Sequence, residues 1–400
     1  MKGRLRADSN ASAKEIHTRA NRLENQPPQL AGLTIVRFFA AIHVVLFHFL
    51  GALYSDIPPW LAQIVSKGSL AVDFFFLLSG YILAVNYPVE RLATSKADQS
   101  FWIARFSRIY PAYLLAWLLC LPQMIEFSLA SYSAVGAAAR LLGGGVVSLL
   151  CLQAWHSSFA PYWNFPGWSI SNEAFFYLTF PSMLRRSHRL PLTQFFWATM
   201  CTLILAAAIE PILAALQQIP GKNLLQLIFS DYNPLLRWPE FLAGILLARW
   251  QMQEKRKALP SFSGLLPFFA ILLAYFAIVG AFGAAFSSHA GRLFLFVPIC
   301  CLMIVALSRF ELPWTPDRWS ATRVLVWLGE ISYSIYIVQW PIFYWTGLKT
   351  ENMEWGKLCV YLAALILVSG LQFHYWESPL RKRWKQRLEE RYNANLPQPS

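Results

Sequence analysis

Ten stretches of about 17 or more mostly apolar residues follow one another along this chain, and that is the length a helix needs to cross the hydrocarbon core of a bilayer. They fall near 32–53, 68–87, 109–129, 165–184, 193–213, 234–250, 262–282, 291–308, 324–347 and 357–376. Nothing else constrains the fold as strongly, because a backbone in lipid must satisfy its own N–H and C=O groups. With 56% hydrophobic and 14% charged residues, and a mean hydropathy of +0.40, the chain cannot be an ordinary soluble domain. The expected fold class is all-α, a polytopic membrane protein of about ten transmembrane helices plus one re-entrant or interfacial segment. That extra segment is 139–155, with Gly143, Gly144 and Gly145. It is apolar but short, and counting it as a span would invert every later loop.

The charges predict orientation. With the N-terminus inside, the inner segments hold 26 Lys and Arg residues, whereas the outer ones hold only Lys67, Arg140, Lys222, Arg292, Lys349 and Lys357. Positive residues favour the cytoplasmic side, so both termini are expected there. Residues 1–30 are polar, carry Pro27 and Pro28 and lack the apolar core of a signal peptide; they are expected to form a disordered cytoplasmic tail. Residues 31–380 form the transmembrane domain. Residues 381–400 form a basic tail, whose Arg381, Lys382, Arg383, Lys385 and Arg387 suit an anionic inner leaflet. The net charge of +13 comes with no nucleic-acid recognition motif, and none is expected as a partner. The six cysteines are scattered without metal-ligand spacing, so neither a metal site nor a disulfide framework is expected.

Charged groups at membrane depth cost roughly 2.5–3.5 kcal/mol and mark candidate sites. Arg37 and His48 stand eleven residues apart in the first apolar run, which returns to within roughly 20° of one helix face, about 16 Å along the axis. Their alternatives are a snorkelling anchor for Arg37 and an interhelical hydrogen bond for His48. His43 lies about 140° around the helix from His48 and is expected to be structural. Asp73, followed by six apolar residues, needs a partner, and a histidine or arginine of the first span is the economical one; otherwise it is an acid bonded for packing alone. Arg105 and Arg108, at i and i+3, can clamp one polyanion or serve only as topology signals. Ser169, Glu173 and Tyr177 fall at i, i+4 and i+8, either a polar stripe facing a cavity or, for Ser169, Ser171 and Glu173, a capped helix start.

Together these residues resemble the acyltransferase-3 family of bacterial integral-membrane O-acyltransferases. Arg37 with His48 is similar to the first-span pair of that family, and Gly68-Ser-Leu-Ala-Val-Asp-Phe-Phe-Phe-Leu-Leu-Ser-Gly80 to its second-span signature. Arg105-Phe-Ser-Arg108 resembles its Arg-x-x-Arg, and Trp168-Ser-Ile-Ser-Asn-Glu173 its Trp-Ser-x-Ser-x-Glu. Gly329-Glu-Ile-Ser-Tyr-Ser-Ile-Tyr336 and Glu377-Ser-Pro379 resemble its late motifs. The resemblance implies acetyl-CoA or another acyl-CoA as cytoplasmic donor, with Arg37, Arg105 and Arg108 near it and no metal. His48 would be the catalytic base or acyl relay, held by Asp73, while Glu173 on the outer half positions the acceptor. It further implies the bacterial inner membrane, and an acceptor hydroxyl on a cell-surface glycan, an exopolysaccharide or its lipid-linked precursor, with acetyl as the expected group. One departure stands out: Gln339, in Val338-Gln339-Trp340-Pro341, replaces a usual histidine and cannot titrate near neutral pH.

A proton-coupled transporter or glycolipid flippase is the competing reading, since intramembrane Asp, Glu, His and Arg also build proton relays. Such a protein is expected to show repeated halves with matching broken helices, and the sequence has none.

Overall fold

The computed structural model describes residues 31–92, 94–216, 230–253, 265–308 and 321–394. The expected polar N-terminal tail and the last residues of the basic C-terminal tail lie outside the described residues. The described residues form helices and short connections, with no strand among them. The helices are α1 (Ala31–Phe49), α2 (Pro59–Val65), α3 (Leu70–Asn86), α4 (Ser95–Ser131), α5 (Ala134–Leu149), α6 (Trp168–Arg189) and α7 (Leu192–Leu216). They continue as α8 (Pro234–Gln253), α9 (Leu265–Phe282), α10 (His289–Ser308), α11 (Ala321–Glu330), α12 (Ser332–Trp345), α13 (Trp355–Gln372) and α14 (Ser378–Ala394).

Helices occupy all ten of the apolar stretches, but among the described residues six are long and apolar enough to cross a membrane by length and composition. The number is seven if the bent pair α2–α3 is one span. The expected count of ten is not reached by that measure, and the reason is local. α6 carries Glu173 and a basic end, α8 carries Arg237, Glu240 and Arg249, and α11 and α12 are separate helices meeting at Ile331. Arg237, Glu240 and Arg249 are buried and Glu173 lines a cavity, and charges kept at membrane depth mark functional sites. The glycine-rich α5 is a 16-residue apolar helix, below spanning length; Gly144 and Gly145 receive the Tyr162 and Trp163 rings of the following loop.

Close backbone approach sets the centre of the fold. A Cβ on Gly80 of α3 would collide with the Phe241 carbonyl of α8, and one on Gly244 with the Leu77 carbonyl. Two glycines facing each other's helices let the backbones touch, as small residues do in membrane helix pairs. That contact sets the buried ends of α3 and α8 side by side.

Topology can be checked directly. Cysteine labelling on a cysteine-free background is expected to mark a probe at Ser158, after α5, from outside, and one at Gln253, at the end of α8, only after permeabilisation. Labelling of both from one side would mean that α5 crosses.

Candidate active site

A cavity of about 460 Å³ lies between α1, α3, α4, α6 and α12. Its wall includes Val72 near the start of α3 and Asn86 at its end, so it follows that helix for about 21 Å. Three guanidinium groups line it, Arg37 from α1 and Arg105 and Arg108 from α4, and the only acidic side chain in its wall is Glu173 of α6. Among the described residues, none of these four makes an ion pair within 4 Å. Arg105 reaches the Tyr87 hydroxyl at 3.3 Å and lies over the Tyr87 ring, 5.5 Å from its centroid, while its buried Nε has no partner. Glu173 accepts from the Tyr177 hydroxyl at 3.2 Å. Three half-buried cations facing one carboxylate favour the entry of an anionic ligand.

The anticipated polar stripe forms: Ser169, Glu173 and Tyr177 all line the cavity. The capping alternative does not, because Gly167 holds the helix-start position without a side-chain cap, and Ser169 donates to the Pro166 carbonyl at 3.0 Å while accepting from Tyr336 at 2.9 Å. α4 starts well before the third apolar stretch and runs unbroken for 37 residues, with Arg105 and Arg108 inside it. These two arginines line one cavity with Glu173.

His48 does not line this cavity. Its Nδ1 is 2.8 Å from Oε1 of Gln339, with Phe165 and Trp340 edge-on to the imidazole at 5.2 and 6.2 Å between centroids. Gln339 is one turn beyond Tyr336, a cavity-wall residue, so the imidazole stands just past the cavity's end. His43 is structural as expected, its Nε2 tied to the Ile64 carbonyl of α2 at 3.0 Å.

Asp73 is the clearest correction. Neither Arg37 nor His48 holds it: Arg237 of α8 pairs with it at 2.7 Å, and the same Nη1 reaches Glu240 at 3.3 Å. The Gly80–Gly244 approach brings that arginine against α3. Asp231, Arg292 and His289 extend the cluster, with Arg292 bonded to Asp231 at 2.6 Å. Asp73 thus does not support His48. Sequence reasoning missed Glu240, Asp231 and His289; the signal for Glu240 is its i, i+3 spacing from Arg237 within an apolar run. Glu377, set in a π-helical turn, accepts from Ser334 at 2.7 Å, and Arg381 of α14 stands within electrostatic reach of Arg105 and Arg108. Beside it, Trp384 stacks on Phe106 at 5.9 Å and docks α14 against α4.

The arrangement is that of an integral-membrane helical enzyme with a cationic cavity leading towards a histidine. The chain belongs to the acyltransferase family described as "Acyltransferase domain", which matches residues 30–372. It is 29% identical over 373 residues to the acyltransferase MdmB of Streptomyces mycarofaciens, covering 87% of this chain and 91% of that protein. It is 24% identical over 346 residues to the peptidoglycan O-acetyltransferase OatA of Listeria monocytogenes, covering 79% of this chain and 51% of that protein. With the O-acetyltransferase OatA of Staphylococcus aureus it shares 29% identity over 168 residues, 40% of this chain and 25% of that protein. No solved structure matches. The family favours the acyltransferase reading over the transporter.

Proposed function

We propose that this protein transfers an acyl group, acetyl in the first instance, from cytoplasmic acyl-CoA to a hydroxyl of a cell-surface glycan or its lipid-linked precursor. The observation that carries the donor is the cavity wall, with three arginines against one carboxylate and no ion pair among them. CoA is a polyanion on a long arm, and Arg forks match phosphate oxygens two at a time. The volume falls within the roughly 300–1,000 Å³ of small-molecule sites. Arg105 and Arg108 hold the phosphates, and Arg37 guides the arm along α1 towards His48, about 16 Å on. Exopolysaccharide is one such acceptor; the glycan class is supported by the likeness to the peptidoglycan O-acetyltransferase of Listeria monocytogenes.

In this account Nε2 of His48 takes the proton from the acceptor hydroxyl as its oxygen attacks the thioester carbonyl. The C–S bond then breaks, and CoA leaves as a thiolate that recovers the proton from the imidazolium. Glu173, beside the arginines, orients the donor end of the site, and Asp73 maintains the packing of α3 on α8. The positive-inside bias supports a bacterial inner-membrane protein with both termini cytoplasmic.

Mass spectrometry of surface glycans tests the reading. Glycans from a strain lacking this protein are expected to lose an acetyl mass increment that the wild-type copy restores. Identical glycans in the two strains would refute the glycan acceptor.

A further inference from the structure

Gln339 sits where the resemblance calls for a histidine, and it is fully buried. Its side-chain NH₂ donates to the Tyr336 carbonyl at 2.8 Å, and its Oε1 faces Nδ1 of His48 at 2.8 Å. The amide cannot be turned the other way, because that would set its oxygen against a carbonyl oxygen, two acceptors with no proton between them. Oε1 must therefore receive a hydrogen, and only Nδ1 can supply it. A neutral imidazole carries one N–H, so the lone pair is on Nε2. That nitrogen has no hydrogen bond among the described residues and is not fully covered by protein.

The backbone that presents Gln339 is itself pinned. Tyr361 donates to the Gln339 carbonyl at 2.8 Å, and Asn164 donates to the Ile337 carbonyl at 3.0 Å. The Phe165 and Trp340 rings stand nearly perpendicular to the imidazole, at 89° and 87°, and limit its rotation.

We propose that Gln339 is a positioning residue that locks His48 in the Nδ1–H tautomer, leaving the Nε2 lone pair as the base for acyl transfer. A carboxylate or a histidine at this place would bring a charge or a second titrating group. The amide fixes the proton's position while staying neutral at every working pH. The proposal rests on the catalytic reading of His48 for its consequence, but not for the tautomer.

Nitrogen-15 solid-state NMR of the full-length, histidine-labelled protein in lipid reads the tautomer directly, with the His48 signal assigned by its loss in His48→Asn. The expected spectrum has Nδ1 protonated and Nε2 bare in wild type. Gln339→Leu should move His48 towards the Nε2–H form, whereas Gln339→Glu, whose protonated carboxyl can donate to the Tyr336 carbonyl and still accept from Nδ1, should keep it. In native membranes, acetyl-CoA-dependent release of CoA thiol should fall roughly tenfold in turnover for Gln339→Leu with the KM for acetyl-CoA unchanged, and less for Gln339→Glu. A protonated Nε2 in wild type, or a Gln339→Leu spectrum or turnover equal to wild type, would overturn the proposal. Full turnover in His48→Ala would instead overturn the catalytic reading while leaving the tautomer assignment standing.

Discussion

His48→Ala is expected to reduce acyl transfer at least about 100-fold while the protein still accumulates in the membrane, because losing a positioned base costs roughly 10²–10⁴ in rate. His43→Ala, on the same helix, is expected to keep most activity. The two imidazoles differ in what they face. His43 is tied to the Ile64 carbonyl and joins α1 to the short α2, so its loss removes one neutral hydrogen bond worth about 1 kcal/mol. His48 has one nitrogen fixed by Gln339 and the other open, next to the end of the arginine-lined cavity. Thiol release at matched protein levels, measured by immunoblot, checks both variants. Equal losses in the two would mean that α1 presents the wrong face in this account.

The second large effect is on stability. Arg237→Met is expected to cost about 3–5 kcal/mol, because it leaves the buried carboxylates of Asp73 and Glu240 without their shared cation. The guanidinium side chain is 4% exposed and the two acids 2% and 0%, so water cannot replace it. Asp73→Asn alone should cost less, since Arg237 keeps Glu240, and the double variant Asp73→Asn/Arg237→Met should recover part of the single arginine loss. Thermal unfolding in detergent orders the three. A single Arg237→Met with the wild-type midpoint would show that the cluster does not secure α3 to α8.

How much of this could be seen in the sequence follows from what periodicity encodes. The apolar stretches locate the helices, and the i, i+4, i+8 spacing of Ser169, Glu173 and Tyr177 gives the face that lines the cavity. Periodicity says which side of a helix is polar, but not which helix it meets. Asp73 and Arg237 are 164 positions apart, and only the glycine pair Gly80 and Gly244 hints that their helices touch. The start of α4 was hidden for a different reason. Lys96, Asp98, Arg105 and Arg108 lower the local hydropathy, yet a helix continues through them because Thr94 caps its start, Asp98 pairs with Arg185 at 2.8 Å and the cavity takes Arg105 and Arg108. The replacement of histidine by Gln339 was visible, but its bond to His48, 291 positions away, was not.

Whether the cavity's arginines hold an acyl-CoA donor is read by equilibrium binding of radiolabelled acetyl-CoA to the purified protein in lipid nanodiscs. Saturable binding that weakens as salt rises is expected. Arg105→Ala/Arg108→Ala should lose at least about tenfold in affinity, with Arg105→Lys in between because an ammonium lacks the planar fork. Unchanged affinity in the double variant would mean that the cavity does not hold the donor and would reduce both arginines to signals of membrane orientation.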